Sequence, residues 1–150
     1  MAADPSERQG PPARAAFARV LPIATRWSDN DAYGHLNNVV YYSLFDTAVN
    51  AILIEEGLLD PMTSPVVGLV VETSCRYFSS LTYPDLAEVG VAVEHLGRTS
   101  VRYRLAVFRA GAPVAAAEGR FTHVYVDRQT NRPHPIPDGH RALMETLVVT

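Results

Sequence analysis

A single stretch, residues 39–56, constrains the fold most, because apolar side chains occupy nearly every side of its helical pattern. Its few polar residues are spaced three or four apart and form one narrow stripe, made of Ser43, Asp46, Thr47 and Asn50. A helix this apolar in a globular protein is buried almost all round. It is also too short and too polar to span a membrane, which takes about 20 apolar residues. The rest of the chain must therefore wrap around it.

A loop rich in acids, amides and one imidazole leads directly into this helix. It covers residues 29–38, with the sequence DNDAYGHLNN. Asp, Asn and Gly favour turns, and either Asn37 or Asn38 is a good N-cap for the helix that follows. Gly57 suits the position just after a helix C-terminus, where a left-handed backbone is common. The pattern predicts one long helix that starts at a polar loop.

Length and composition place the chain among globular single domains. It has 150 residues, of which 47% are hydrophobic and 19% charged, so it can form a core. A net charge of −3 gives no electrostatic reason to expect nucleic acid. One cysteine, Cys75, excludes an internal disulfide and suits a reducing compartment, so we expect a cytoplasmic protein without nucleic-acid or membrane partners. Residues 1–16 lack the apolar core of a signal peptide, so we expect a flexible tail and then one domain over residues 17–150.

The other apolar runs follow the period of two that is typical of strands. Residues 17–27 alternate, and because proline cannot donate to a neighbouring strand, Pro22 indicates that this strand either lies at a sheet edge or carries a bulge. Turn residues separate four further runs, which cover residues 66–78, 86–96, 101–107 and 114–126. The short links predict a meander of four antiparallel strands. A short helix is expected from Asp138 to Leu147.

One strand, one nearly all-apolar helix and four further strands make an α+β domain. The economical way to bury the helix is to curl one antiparallel sheet around it. Such a sheet still has an outer face and an unpaired edge, and proteins commonly cover both by forming symmetric oligomers. We therefore expect a homodimer or a homotetramer.

The loop and the start of the helix carry the pattern Asp-x-Asp-x-x-Gly-His-x-Asn-Asn-x-x-Tyr over residues 29–41. This pattern resembles the hotdog-fold acyl-CoA thioesterases and, more narrowly, the 4-hydroxybenzoyl-CoA thioesterase-like family. Later segments support the resemblance over roughly residues 17–137: VETSCRY at 71–77, GRTSV at 97–101 and VYVD at 124–127. The resemblance implies a hotdog fold, with an antiparallel sheet of about five strands curled around one long central helix. It also implies an acyl-CoA thioester hydrolase that releases a carboxylic acid and free CoA.

Two departures from the family pattern stand out. Residues 46–49 read Asp-Thr-Ala-Val where the family often has Glu-x-Ala-Arg, so an arginine contact is absent while an acid is retained. Pro84 stands where glycine is common.

Three further kinds of protein compete with an acyl-CoA thioesterase. Plant-type acyl-carrier-protein thioesterases share a similar loop, so the acyl group can be carried by a protein and not by coenzyme A. A non-catalytic acyl-binding hotdog protein would bind thioesters without turning them over. A hotdog hydratase would act on the carbon chain, and the lack of an Asn-Pro-x-His context disfavours it.

The resemblance assigns catalysis to the loop. Asp31 matches the catalytic carboxylate, which attacks the thioester or activates water, although most aspartates in such loops only cap turns. Asp29 is expected to be a structural hydrogen-bond acceptor. Free N–H groups at Asn37, Asn38 and Val39 are expected to polarise the thioester carbonyl.

Four further roles follow from the same resemblance. His35 is expected to orient the loop or shuttle a proton, and the side chain of Asn38 to take a polar role in the site. Asp46, about two turns along the helix, is expected to face the site of the partner subunit. The turn at Arg98, Thr99 and Ser100 is expected to lie near the phosphates of coenzyme A. No metal or separate cofactor is expected, because coenzyme A arrives as part of the substrate.

Overall fold

A five-stranded antiparallel sheet and one long helix make up most of the computed structural model, which describes residues 9–149. The strands are β1 (Arg19–Ala24), β2 (Val66–Tyr77), β3 (Leu86–Leu96), β4 (Ser100–Arg109) and β5 (Ala117–Asp127). The α-helices are α1 (Val40–Glu55) and α2 (Asp138–Thr146), and short 3-10 helices cover Arg14–Ala16 and Trp27–Asp29. Among the described residues, no helix combines the length and the apolarity needed to cross a membrane.

The strand order, β1-β3-β4-β5-β2, differs from the prediction. Only β3, β4 and β5 form a meander, and the predicted meander of four strands is wrong because β2 lies at the far edge beside β5. The eight-residue link between β2 and β3 covers three strand spacings of about 4.8 Å each. An extended link of that length reaches up to about 26 Å. A short link therefore does not require its two strands to be neighbours.

The first strand occupies the other edge of the sheet, which is one of the two arrangements that Pro22 indicates. Pro22 lies opposite Glu88 of β3, and β3 is the only strand that pairs with β1 within the described sheet. The missing N–H of proline points away from the ladder at such an edge. Beyond it, the outer face of the sheet carries a small apolar cluster of Phe17, Ala92, Ala106, Phe108 and Ala115.

Helix α1 lies on the inner face of the sheet, within one residue of its predicted bounds at either end. It buries seven of its sixteen residues, including Phe45, which has no exposed surface. Phe45 reaches the sheet at Gly119, where a Cβ atom would come within 2.5 Å of its ring. Much of the polar stripe remains exposed, and Ile54 beside it is 48% exposed. Within a single chain, therefore, only the side of the helix that faces the sheet is buried.

Both ends of α1 are built from the residues that the sequence indicates. Val39 is the N-cap residue of α1, and Asn37 accepts a hydrogen bond of 3.1 Å through Oδ1 from its N–H, so it is the side chain of Asn37 and not of Asn38 that bonds to the helix start. Gly57 follows the last turn with φ of 72°, in the left-handed region that glycine adopts without strain.

The N-terminal boundary of the domain lies earlier than residue 17. Residues 1–8 of the expected tail lie outside the described residues. The segment that follows is ordered: Ala13 forms a β-bridge with Val114, and the guanidinium of Arg14 contacts the carboxylate of Glu88 at 2.9 Å. These contacts tie residues 13–16 to the outer side of the sheet, so they belong to the domain.

Candidate active site

The loop before α1 is a compact turn. Asn30 and Leu36 form a β-bridge, and the N–H of Asp31 donates to the carbonyl of His35 at 2.7 Å. Gly34, with φ of 76°, lets the backbone reverse between them. The turn projects Tyr33 and His35 into solvent, whereas Asp31 is half-buried in it.

One oxygen of the Asp31 carboxylate organises this turn. Its Oδ1 accepts hydrogen bonds from the N–H groups of Tyr33, at 2.8 Å, and His35, at 3.2 Å. The second oxygen, Oδ2, has no protein partner among residues 9–149. The capping role that is common for loop aspartates is therefore present, and it leaves one oxygen available for chemistry.

Asp29 is the buried acid of the loop. It is 4% exposed and accepts hydrogen bonds from the side chain and the backbone N–H of Arg26, the shortest at 2.8 Å. Burial raises the pKa of Asp29, but the hydrogen bonds from Arg26 outweigh that effect and hold the pKa below its usual value. Its backbone carbonyl also accepts from the N–H of Asn37. The geometry of Asp29 is that of a structural anchor.

The link between β2 and β3 holds the loop from the opposite side. Leu36 donates its N–H to the carbonyl of Leu81 at 2.8 Å, and the hydroxyl of Thr82 donates to the carbonyl of Gly34 at 2.6 Å. The side-chain oxygen of Asn30 accepts from the N–H of Tyr83 at 3.0 Å. The sequence signalled this link only as a turn, so its role in holding the loop was missed.

Only one of the three expected backbone donors is free. The N–H of Asn37 donates to Asp29, and that of Val39 donates to the side chain of Asn37. The N–H of Asn38 has no protein acceptor within residues 9–149. It lies at the positive end of the α1 dipole, where a developing negative charge is stabilised.

A residue that the sequence analysis did not single out, Tyr77 at the end of β2, anchors this position. Its hydroxyl donates to the carbonyl of Asn38 at 2.9 Å, and its ring meets Tyr41 edge-on with centroids 5.0 Å apart. Cys75 lies two residues before it, and burial raises the pKa of its thiol to about 11. Cys75 is therefore a neutral thiol near pH 7. Compared with the available carboxylate oxygen of Asp31, it is a poor nucleophile.

The structure collects some of the expected site residues and separates others. Asp31, His35 and Asn38 all belong to the loop that leads into α1, and both His35 and Asn38 are exposed. Asp46 is exposed about 12 Å further along the helix, where it accepts a hydrogen bond from Asn50 at 3.0 Å.

The turn that contains Arg98, Thr99 and Ser100 lies at the opposite end of the sheet. β3 alone has 11 residues and runs the whole way from the loop end to this turn, roughly 33 Å. The turn packs beside α2 instead, with Arg141 donating to the carbonyl of Gly97 at 2.7 Å. Within one chain, this turn and Asp31 do not form a single site.

An antiparallel sheet around one central helix, with a carboxylate loop at the helix start, defines a hotdog-fold protein of the thioester-hydrolysing class. The chain belongs to the thioesterase-like superfamily, whose family model matches residues 25–144. It is an enzyme that hydrolyses thioesters.

Solved structures share the fold over most of their length. The PA5185 protein from Pseudomonas aeruginosa is 48% identical, with a TM-score of 0.92 over 94% of this chain and 99% of that one. A predicted thioesterase from Bacillus stearothermophilus is 26% identical, with a TM-score of 0.75 over 87% of this chain and 96% of that one. A 1,4-dihydroxy-2-naphthoyl-CoA thioesterase from Synechocystis is 14% identical, with a TM-score of 0.76 over 85% and 94%, and shows likeness of fold alone. The comparison with curated proteins gives no match.

Proposed function

We propose that this enzyme hydrolyses acyl-CoA thioesters to a carboxylic acid and free CoA, with Asp31 as nucleophile or general base. One observation carries the proposal: the loop that leads into α1 contains both the unpaired Oδ2 of Asp31 and the unpaired N–H of Asn38. A nucleophile or base and an oxyanion donor are the two groups that thioester hydrolysis requires.

Two routes use these groups. In the first, Asp31 takes a proton from water and the resulting hydroxide attacks the carbonyl carbon. In the second, Oδ2 attacks directly, and water then hydrolyses the acyl-aspartyl anhydride. In both, the N–H of Asn38 stabilises the oxyanion, the C–S bond breaks, and the CoA thiolate takes up a proton, for which the exposed His35 is a suitable carrier.

The reaction changes no oxidation state, so the proposed chemistry involves no redox cofactor, and no metal is part of it. Coenzyme A enters only as part of the substrate. We place the enzyme in the cytoplasm, since its single thiol suits a reducing compartment.

We further propose that two copies pair through β2. This strand has no neighbour on its outer side within the described sheet, and its residues Leu69, Val70 and Val71 are 45%, 45% and 59% exposed. An apolar edge strand of this kind pairs readily with another strand. When two β2 strands pair in antiparallel fashion about a two-fold axis, the end of the partner's sheet that is opposite its own Asp31 loop comes to lie beside the Asp31 loop of the first subunit. Asp46 and the turn at Arg98 of the partner subunit then approach the site that one chain leaves open.

A panel of short, long and aromatic acyl-CoAs, assayed for released thiol, tests the proposal. Asp31→Asn keeps the size and polarity of the side chain and removes the base, so the rate is expected to fall at least about 100-fold. Asp29→Asn is the control: it weakens the ion pair of the buried Asp29 with the exposed Arg26, so lower thermal stability is its first expected effect. Full activity in folded Asp31→Asn protein would contradict the assignment.

A further inference from the structure

The link between β2 and β3 forms a compact turn of its own around Thr82. The N–H of Asp85 donates to the carbonyl of Thr82 at 2.8 Å, and the N–H of Thr82 donates to the carboxylate of Asp85 at 3.0 Å. The hydroxyl of Thr25, just after β1, donates to the carbonyl of Asp85 at 2.5 Å. These hydrogen bonds fix the backbone on both sides of Thr82 independently of the Asp31 loop.

A guanidinium from β4 contacts the same link. Arg109 donates through Nε to the carboxylate of Asp85 at 3.3 Å and through Nη2 to the carbonyl of Ser80 at 3.1 Å. It therefore bridges two residues that lie on either side of Thr82. The side chain of Arg109 is 56% exposed, so solvent weakens this ion pair, and we assign it a smaller part than the hydrogen bonds within the link.

The hydroxyl of Thr82 bonds to the loop on both sides of Asp31. It donates to the carbonyl of Gly34 at 2.6 Å and accepts from Nδ2 of Asn30 at 3.3 Å. The carbonyl of Tyr83, at 3.4 Å, is a more distant acceptor. A hydroxyl can donate one hydrogen bond and accept others, so both bonds to the loop form at the same time. One atom of the link therefore joins the residue before Asp31 to the residue at which the turn reverses.

Asn30 completes this connection. Its Oδ1 accepts from the N–H of Tyr83 at 3.0 Å, so both ends of its amide are bonded to the link. Asn30 directly precedes Asp31, whose N–H donates across the turn to the carbonyl of His35 at 2.7 Å. The backbone of Asp31 is therefore restrained from the link as well as from within the turn.

The restraint bears on the carboxylate because only one of its oxygens is held. Oδ1 of Asp31 accepts from the N–H groups of Tyr33 and His35, whereas Oδ2 has no protein partner among residues 9–149. The direction of Oδ2 thus depends on the backbone of the turn. A displacement of about 1 Å in a reacting group can lower a rate by about 100-fold.

We propose that Thr82 is a positioning residue of this enzyme, whose hydroxyl fixes the turn that orients the carboxylate of Asp31. It acts through Asn30 and Gly34 and takes no part in the making or breaking of bonds. The proposal rests on the proposed function, because it requires Asp31 to be the nucleophile or the general base.

Thr82→Val tests the proposal, because valine keeps the branched shape of threonine and removes the hydroxyl. We expect kcat to fall about threefold to tenfold, the effect of one neutral hydrogen bond, while KM holds. Thr82→Ser keeps a hydroxyl and is expected to restore kcat. Hydrogen exchange followed by NMR supplies a second measurement. Exchange at the N–H groups of Asp31 and His35 is expected to be at least about threefold faster in Thr82→Val, because the turn opens more often.

Thr25→Val is the matched control. It removes a buried hydroxyl that bonds to the same link and that makes no hydrogen bond to the loop within residues 9–149. It is expected to lower the thermal stability and to leave kcat and the exchange at Asp31 unchanged. Equal losses of kcat in the two variants would overturn the proposal, since the stability of the link would then set the rate. Unchanged kcat in folded Thr82→Val would overturn it as well.

Hydrogen exchange separates this proposal from the proposed function, because exchange does not depend on which residue is catalytic. If Asp31→Asn is fully active, the proposed function fails and the catalytic role of Thr82 fails with it, even where Thr82→Val loosens the turn. If Asp31→Asn is inactive while Thr82→Val exchanges and turns over as the wild type does, only the positioning role is wrong.

Discussion

The hydroxyl of Tyr77 donates a hydrogen bond of 2.9 Å to the backbone carbonyl of Asn38 and so ties the end of β2 to the start of the helix. Asn38 supplies the free N–H that we assign to the oxyanion. Tyr77 holds the carbonyl of Asn38, so this hydrogen bond from the sheet restricts the rotation of the Asn38 backbone. A donor held in place before the reaction stabilises the transition state without reorganisation.

Replacement of Tyr77 by Phe tests this positioning role. We expect kcat to fall about threefold to tenfold, the worth of one neutral hydrogen bond, while KM changes little. The loss acts on the transition state, because the oxyanion charge is largest there. Tyr42→Phe, on the neighbouring helix turn, is the matched control and should leave both constants unchanged. A loss confined to KM, or an equal loss in both variants, would contradict the role.

A lysine at Val71 tests pairing through β2. Each dimer would carry two of these charges along the joined edge, and edge lysines oppose strand pairing. We expect light scattering at micromolar concentration to show a dimer or larger species for the wild type and a monomer with reduced activity for Val71→Lys. Val20→Lys places the same charge on β1 at the opposite edge and should change neither property. A wild-type protein that is active as a monomer would refute the proposed pairing.

Replacement of Arg98 by Ala tests the contact with coenzyme A. The phosphates are engaged equally in ground and transition states, so KM is expected to rise, roughly tenfold, while kcat holds. Exposure of the arginine keeps the effect at the low end of the range for a charged hydrogen bond.

Two comparisons sharpen the Arg98 result. Arg102→Ala, at another exposed arginine on β4, is the control. An acyl-N-acetylcysteamine, which lacks the nucleotide, should be affected much less than the CoA thioester. Equal losses on both substrates would mean that the arginine supports the fold, and no loss on either would favour an acyl carrier protein.

Acid is expected to destabilise the fold through His123. The unfolded imidazole titrates near its ordinary pKa of 6.5, whereas the folded one titrates at about 4, so the unfolded state binds the proton first. The free energy of unfolding should therefore fall by up to about 3 kcal/mol as the pH drops from 6.5 to 4. Urea unfolding across this range measures the slope. His123→Gln should flatten it, leaving the smaller contribution of His140, whose pKa burial also lowers.

The sequence by itself determined the elements and the class of the protein. The bounds of α1 follow from its apolar run, from Asn37 at one end and from Gly57 at the other, all of which act within a few residues. Alternation of apolar residues located all five strands, and Pro22 indicated an edge or a bulge for β1. The motif at residues 29–41 pointed to a hotdog thioesterase, as the family match confirms.

The tertiary structure alone decided which elements and atoms meet. β2 crosses to the far side of β5 because strand order depends on how the whole sheet covers the helix, and link length does not reveal it. The sequence pattern does not show that the N–H groups of Asn37 and Val39 are engaged in hydrogen bonds. It also does not show the hydrogen bond from Tyr77 to Asn38. Tyr125 of β5 likewise packs edge to face on His140 of α2, with ring centroids 5.4 Å apart. Local propensity acts over neighbouring residues, whereas these contacts depend on packing across the domain.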